Sequence, residues 1–321
     1  MPRLLFVHAH PDDETLTCGV TMAHHVARGD DVHVLTCTLG EEGEVIPPAL
    51  AHLEGDPSDA LGPYRHGELA LALSRIGASM HVLGAEACDP WDGRLSRYRD
   101  SGMAGSPAAA RPDAFAAADL DEAGALVADV LRRLRPDVVV TYDEHGGYGH
   151  PDHVQTHRVT RRALQLLDAS ELPARTYEIV TPLGWAREDR AWLASADPAL
   201  LDTSAWWHEP GLGGVAGDGG PAAPALVVPA ADDPFPPSVV DDDTVTHVVR
   251  DDAARAVKNH ALRAHATQVL VASEDVHALS NFIAVRTTGR EGFRQVDPLT
   301  WQPTGRRGTD LLAQPDRENA S

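Results

Sequence analysis

The first part of the chain alternates short, largely apolar runs with longer amphipathic segments. The apolar runs, which predict buried strands, lie at residues 4–7, 32–39, 80–83, 138–142 and 177–181. The amphipathic segments, which predict helices, lie at residues 16–27, 64–76, 120–134 and 153–167. Strands that alternate with helices in this way are typical of βαβ units around a parallel sheet. We therefore predict an α/β fold with a Rossmann-like, mostly parallel sheet that is flanked by helices.

The pattern changes after about residue 185. Residues 208–243 are rich in Gly, Pro and Asp, which favours a loop or an insertion without regular structure. Beyond them, residues 245–249 predict one strand and residues 253–264 predict one helix. We therefore divide the chain into a Rossmann-like domain at residues 1–185 and a smaller C-terminal α+β portion at residues 186–321.

Composition and charge narrow the class of protein. Of the 321 residues, 43% are hydrophobic and 23% are charged, which excludes a disordered, collagen-like or small disulfide-rich chain. The formal net charge of −21 disfavours nucleic acid and anionic membranes as partners, because both are negatively charged. Cys18, Cys37 and Cys88 form no CxxC motif, and the N-terminus carries no signal-peptide pattern. We therefore expect free thiols and a cytoplasmic location, while the oligomeric state stays open.

Two short motifs rich in His and Asp each follow a predicted strand. His10-Pro11-Asp12-Asp13 stands where a dinucleotide-binding fold would carry GxGxxG, and His150-Pro151-Asp152-His153 follows the fourth strand. If these two strands are neighbours, the motifs meet in the crevice at the switch point of the sheet. Three protein ligands and one open position are typical of a catalytic zinc site.

Each motif also has an ordinary structural interpretation. HPDD alone is compatible with a helix start that carries acidic residues, and HPDH alone with a loop. The occurrence of both motifs, each directly after an apolar strand, favours the metal site.

Several longer stretches carry a family resemblance. HAHPDDE, VLTCTLGEEGEV, RDSGMAG, TYDEHGGYGHPDH and HATQV resemble the GlcNAc-PI de-N-acetylase (LmbE-like) family of zinc-dependent enzymes that act on N-acetylglucosaminyl conjugates. The resemblance covers most of the chain and weakens between about residues 168 and 245. HPDDE alone identifies only the superfamily, whereas RDSGMAG and GGYGHPDH are more discriminating.

The resemblance implies a role for each residue of the two motifs. It assigns the metal ligands to His10, Asp13 and His153. It implies that Asp12 is the general base and that His150 stabilises the oxyanion and protonates the leaving amine. Tyr148 matches a tyrosine that polarises the amide, and Asp152 is expected to tune His150.

Weaker matches concern the substrate. The resemblance, together with the chemistry of the side chains, offers as substrate-binding candidates Glu44, Arg65, Asp100, Met103, Gln268 and Asn281. Each has a structural alternative, such as an exposed acidic turn, a helix-surface arginine, a core methionine or a structural amide. These alternatives stay open at the level of sequence.

The resemblance also implies a cofactor and a reaction. We expect one Zn²⁺ per chain, although His and carboxylate ligands also suit Fe²⁺, Co²⁺ and Mn²⁺. The implied reaction removes acetate from N-acetylglucosaminyl-inositol, a small-molecule step of mycothiol biosynthesis. Residues 1–185 would carry the metal chemistry, and residues 186–321 would contribute to the substrate pocket.

Three alternative functions remain. The first is an amidase of mycothiol S-conjugates, and the second is a deacetylase of another N-acyl sugar, such as a glycolipid or an antibiotic sugar. The third, from a different class, is a non-catalytic sugar-binding protein. The presence of both Asp12 and His150 favours catalysis. No role is assigned to His145 or to residues 208–243.

Overall fold

The computed structural model describes residues 1–85, 95–212 and 222–312. Its strands are β1 Arg3–His8, β2 Asp31–Thr36, β3 Ser79–Val82, β4 Val138–Tyr142, β5 Arg175–Ile179, β6 Thr181–Pro182, β7 Val239–Val240, β8 His247–Arg250, β9 Leu270–Val271, β10 Val276–Ala278, β11 Val285–Arg286 and β12 Arg290–Val296. Its α-helices are α1 Asp13–Ala27, α2 Leu61–Ile76, α3 Leu120–Leu134, α4 Gly146–Gly149, α5 Pro151–Gln165, α6 Leu183–Ala194, α7 Ser204–Trp207 and α8 Asp252–Leu262. Among the described helices, none combines the length and the apolar character that a membrane span requires.

A seven-stranded sheet in the order β3-β2-β1-β4-β5-β12-β8 forms the centre of the molecule. The first five strands in this order are parallel, whereas β12 and β8 are antiparallel to their neighbours. The predicted fold class, an α/β fold with a mostly parallel sheet, is therefore confirmed. Smaller sheets join β9, β10 and β11, and β6 with β7.

Helices bury both faces of this sheet. Leu4 and Phe6 of β1 point into a core that α1, α2 and α8 cover, whereas Leu5 and Val7 point into a second core under α3 and α5. Because successive residues of a strand point to opposite faces, a strand covered on both sides must be apolar at every position. This requirement explains why the central strands were visible as continuous apolar runs.

The C-terminal half completes the main sheet. β12 and β8 both lie beyond residue 185. They still extend the sheet, because β12 pairs with β5 and β8 pairs with β12. The division of the chain at residue 185 into two units stays a prediction. The described part of residues 208–243 holds only the two-residue β7 and the start of one 3₁₀ turn, as a loop would. Cys18 and Cys37 are buried free thiols, and Cys88 lies outside the described residues.

A buried ion pair ties α8 and β12 to α1. Lys258 Nζ lies 2.9 Å from Glu291 Oε1 and also donates to Leu16 O at 2.7 Å. The second Glu291 oxygen accepts the N–H of Thr21 at 2.8 Å. A Cβ on Gly19 would meet Lys258 Cγ at 2.9 Å, so glycine leaves the room that the lysine side chain needs. The pair thereby fixes the helix that begins with the HPDD motif.

Replacing Lys258 by Met is expected to lower the free energy of unfolding by about 3–5 kcal/mol, because Glu291 would remain buried without its counter-charge. Urea denaturation of the chelated protein measures this loss. Arg255→Met on the same helix is the matched control, because Arg255 pairs with Asp275 at a partly exposed position and should cost about 0–1 kcal/mol. Equal losses in the two variants would contradict the prediction.

Candidate metal and catalytic site

The two motifs meet at the carboxyl ends of neighbouring strands. β1 and β4 pair in parallel, so the turn after β1 lies beside the turn after β4. His10, Asp12 and Asp13 come from the first turn, and His150 and His153 from the second. The prediction that both motifs meet at the switch point of the sheet is confirmed.

The three predicted metal ligands form a nearly equilateral triangle of atoms. Asp13 Oδ2 lies 3.4 Å from His10 Nδ1 and 3.2 Å from His153 Nε2, and the two nitrogens are 3.3 Å apart. Ligands at about 2.0–2.1 Å from a tetrahedral zinc ion are about 3.3–3.4 Å from one another. All three side chains are buried. The donor atoms therefore fit three corners of a tetrahedral metal site.

Other ligand sets share His10. Among the described residues, ligand atoms of His10, His150 and His153, and of His10, Asp100 and Asp152, also lie within 4.8 Å of one another. In the second set, His10 Nε2 lies 3.2 Å from Asp152 Oδ2 and 3.5 Å from Asp100 Oδ1. Carboxylates commonly hold the outer nitrogen of a metal-binding histidine in this way. His10 thus has Nδ1 free for a metal while Nε2 is held by carboxylates.

The carboxylate of Asp152 contacts a different histidine from the one that the sequence predicted. It contacts His10 and accepts the N–H of Ser101 at 2.9 Å, whereas its link to His150 is made by its backbone N–H, which donates to His150 Nδ1 at 3.2 Å. The reason is helical geometry. His150 is the N-cap of α5, and Asp152 stands in the first turn with its side chain directed to β1.

Tyr142 supports the site, although its sequence context favours a core residue. Its ring stacks on His153 with centroids 4.4 Å apart and planes 18° from parallel. Its hydroxyl accepts the N–H of Ala9 at 3.0 Å. The tyrosine is buried and also lines the cavity above the site. It therefore orients a predicted metal ligand from behind.

Asp12 lies beside the triad in a strained backbone conformation. Its φ of 108° is one that residues other than glycine rarely adopt. Burial raises the pKa of the Asp12 carboxyl to about 7, against the opposing effect of Arg65. A carboxylate with a pKa near the working pH is well suited to accept a proton from water.

Arg65 contacts the turn rather than open solvent. Its guanidinium donates to Gly40 O at 2.6 Å, to Pro11 O at 2.7 Å and to Asp12 Oδ2 at 3.2 Å. A Cβ on Gly40 would lie 1.9 Å from Arg65 Nη1, so only glycine fits there. Arg65 is therefore a buried side chain that holds Asp12, and the alternative of a helix-surface arginine is wrong.

His150 lies with its ring centroid 4.7 Å from His10 and 5.0 Å from His153. Burial, together with the positive charge of these two neighbours, lowers the pKa of His150 to about 3. Since Nδ1 accepts the N–H of Asp152, the neutral ring carries its proton on Nε2. The structure thus favours a neutral donor, whereas protonation of the leaving amine, the role that the resemblance implies for His150, requires a protonated ring.

Tyr148 lies on a glycine-rich turn at the mouth of the cavity. The residue is 52% exposed, and its ring centroid lies 5.0 Å from that of His153. Gly147 and Gly149 on either side have φ values of 74° and 92°. Neighbouring His145 is exposed, has Glu144 3.8 Å away and does not line the cavity. Tyr148 is therefore the aromatic residue of this turn that faces the site.

A cavity of about 770 Å³ opens over the triad. Five of the six predicted substrate-binding residues line it, namely Glu44, Arg65, Asp100, Met103 and Gln268. Burial opposes ionisation of Asp100, but His10 outweighs it and keeps the pKa of this carboxyl below its usual range. Met103 is exposed at the rim, and Gln268 Nε2 donates to Glu44 O at 3.1 Å.

Asn281 is not brought to the cavity. Its Oδ1 accepts the N–H of Ile283 at 3.0 Å, which is the structural use of an amide that the sequence left open. Reasoning from sequence also missed four residues that line the cavity, namely Trp185, Asp189, Arg286 and Arg290. These residues belong to α6, β11 and β12, for which the sequence carried no clear signal.

Comparison with known proteins agrees with the motifs. The family GlcNAc-PI de-N-acetylase (PIG-L) matches residues 5–164. The chain is similar to proteins named 1D-myo-inositol 2-acetamido-2-deoxy-alpha-D-glucopyranoside deacetylase. That of Streptomyces avermitilis is 45% identical over 319 residues, which cover 97% of this chain and 96% of the relative. That of Mycolicibacterium smegmatis is 45% identical over 321 residues, which cover 99% and 98%.

Among solved structures, the N,N'-diacetylchitobiose deacetylase from Pyrococcus horikoshii matches with a TM-score of 0.47 and 17% identity, covering 94% of this chain and 85% of that one. The assignment to a family rests on the two curated relatives, because each is similar to this chain over almost the whole of both sequences. The chain belongs to the GlcNAc-PI de-N-acetylase family.

Proposed function

We propose that the protein hydrolyses the N-acetyl group of N-acetylglucosaminyl-inositol, giving glucosaminyl-inositol and acetate, in mycothiol biosynthesis. One observation carries this proposal. A triad with the spacing of a tetrahedral metal site lies beside the carboxylate of Asp12, in a chain 45% identical to deacetylases named for this substrate.

We propose that His10, Asp13 and His153 hold one divalent metal ion per chain. Zn²⁺ suits two imidazoles and a carboxylate, and Fe²⁺ and other divalent ions share this ligand preference. When bound, such an ion lowers the pKa of its water to about 7 and polarises the amide carbonyl. The remaining chemistry belongs to the side chains around it.

Asp12 is the proposed general base. Arg65 holds Asp12 Oδ2, which leaves Oδ1 to accept a proton from the attacking water. As the carbonyl carbon becomes tetrahedral, its oxygen gains negative charge. His150 donates a hydrogen bond from Nε2 to that oxygen, and the hydroxyl of Tyr148 is the second proposed donor.

The leaving amine needs a proton as the C–N bond breaks. Asp12, protonated by the attacking water, supplies it and returns to the carboxylate. The alternative from sequence, delivery by His150, requires this ring to gain a proton first, which the oxyanion beside it would favour. Asp152 acts through His10, whose outer nitrogen it holds.

The substrate hydroxyls are proposed to contact the polar residues of the cavity. Asp100 and Glu44 can accept hydrogen bonds from vicinal hydroxyls, while Gln268 can both donate and accept. Met103 offers an apolar contact at the rim. No nucleic-acid or membrane partner is proposed, and the cytoplasmic location stays a prediction.

A second candidate function is amide hydrolysis of mycothiol S-conjugates. The observation that favours it is the cavity of about 770 Å³, which exceeds what an acetyl group needs and is also lined by Trp185, Arg286 and Arg290. The guanidinium of Arg290 lies over the Trp185 ring, with Cζ 4.8 Å from the ring centroid. An aromatic ring and two guanidinium groups suit a larger acyl group that carries a negative charge.

The experiment that tests both candidates is release of free amine by the metal-loaded protein. N-acetylglucosaminyl-inositol and a mycothiol S-conjugate are offered separately, each with a chelated control. Metal-dependent turnover that prefers the acetylated sugar is the expected result. Preference for the conjugate would assign the second function, and turnover of neither substrate by metal-loaded protein would contradict both.

A further inference from the structure

The turn that carries Asp12 is held in its strained conformation by side chains from elsewhere. The backbone N–H of Asp12 donates to Glu14 Oε2 at 3.0 Å, while Arg65 donates to the carbonyl of Pro11 at 2.7 Å. Since the φ of Asp12 decides where its carboxylate points, these contacts aim the proposed base.

Glu14 is in turn held by a histidine from the C-terminal half. His265 Nε2 lies 2.9 Å from Glu14 Oε1, and Thr15 Oγ1 donates to the same oxygen at 2.6 Å. Glu14 and His265 are both fully buried. One Glu14 oxygen therefore serves His265 and Thr15, and the other is left for the N–H of Asp12.

His265 begins the HATQ stretch, in which only Gln268 has a role in the proposed reaction, as a substrate contact. Thr267 donates from its N–H and its hydroxyl to Glu68, at 2.8 and 2.6 Å, and its carbonyl accepts the N–H of Ile46 at 2.9 Å. Glu68 lies on α2, the helix that also carries Arg65. Residues 265–268 thus connect the base-bearing turn, α2 and the loop after β2.

We propose that His265 is a positioning residue. Through Glu14 it fixes the backbone of Asp12 and aims the carboxylate at the attacking water, an inference that rests on the proposed role of Asp12 as base. Without His265, Glu14 Oε1 loses the ring nitrogen that holds it, and the side chain is free to turn away from Asp12. Asp12 could then relax to an ordinary φ, with its carboxylate displaced from the triad.

Kinetics of three variants test the role. In His265→Leu, kcat for N-acetylglucosaminyl-inositol is expected to fall about 10–100-fold, with KM and metal content within about twofold of the parent. His265→Gln, whose amide can still donate to Glu14, should recover most of the loss. Thr267→Val is the matched control, because it weakens the same segment without touching Glu14. Equal kcat in His265→Leu and the parent, or equal losses in the Leu and Gln variants, would overturn the proposal.

A double variant covers the case in which His265→Leu does not fold. Glu14→Leu with His265→Leu removes the buried charge together with its partner, which is far less disruptive than removing one alone. It still lacks an acceptor for the N–H of Asp12. The same 10–100-fold loss of kcat is expected, and parent-like kcat would overturn the proposal.

A measurement without substrate separates this inference from the proposed function. In the chelated protein, Asp12→Gly and Asp12→Ala both lose the carboxylate, but only glycine tolerates the φ of 108°. The Gly variant should melt about 2–6 °C higher than the Ala variant, and the gap should at least halve in the His265→Leu background. An unchanged gap would overturn the inference. If this gap in melting temperature narrows but the parent protein does not hydrolyse the substrate, the inference is supported while the proposed function fails.

Discussion

Replacing Asp12 by Asn is expected to lower kcat for amide hydrolysis about 10²–10⁴-fold while the metal content stays unchanged. Asn is nearly isosteric and can still accept from Arg65 through its amide oxygen. It cannot accept a proton from water near neutral pH. The loss should therefore fall on the chemical step, so that KM changes much less than kcat.

The measurement is steady-state kinetics of metal-loaded enzyme, with metal content determined on the same preparation. Asp129→Asn is the control for the loss of one negative charge, because Asp129 is exposed on α3, where it pairs with neighbouring Arg132. If the Asp12→Asn enzyme kept near-parent turnover with full metal, another group would have to be the base.

The place of the metal site could be predicted because the residues that determine it lie close together in the sequence. Each motif follows a strand that is apolar on both faces, and parallel strands bring their carboxyl ends to one edge of the sheet. Adjacency of β1 and β4 then brings His10 and Asp13 to His153. The two motifs and their strands were enough to predict a metal site at this edge of the sheet, whereas the choice of His10, Asp13 and His153 as its ligands came from the family resemblance.

The surroundings of the triad could not be predicted in the same way. Whether Asp152 contacts His150 or His10 depends on the exit angle of α5, and its contact with His10 spans 142 positions of the sequence. The contact between His265 and Glu14 spans 251 positions. Spacing along the chain carries no information about such contacts, so HATQ could be recognised as a motif but not assigned to the turn.

The strands and helices that sequence reasoning missed share a physical cause. β12 has the sequence REGFRQV, in which Arg294 donates to Glu178 on β5 and Glu291 is buried against α1. A strand whose polar side chains are paired with partners elsewhere shows no apolar run. α6 likewise buries little, with Leu193 as its one buried residue, so its apolar face was too narrow to predict a helix from the sequence.

Replacing His153 by Ala is expected to remove the metal and with it all turnover above background. Two of the three ligand atoms, His10 Nδ1 and Asp13 Oδ2, would remain 3.4 Å apart. Loss of an outer-shell partner alone weakens metal binding about 10–100-fold, and loss of a direct ligand should exceed this. Metal titration after dialysis measures the effect, and the fold should survive because α5 stays packed on α3.

His157 provides the matched control for this prediction. It is buried on the same helix, four residues after His153, and the spacing alone would allow a metal-binding pair. Its Nδ1 instead lies 3.0 Å from Tyr142 O, and its ring packs edge-on against Trp301. His157→Gln can keep the bond to Tyr142 and should bind metal like the parent. Metal loss in His157→Gln, or retention of metal in His153→Ala, would mean that the triad is not the metal site.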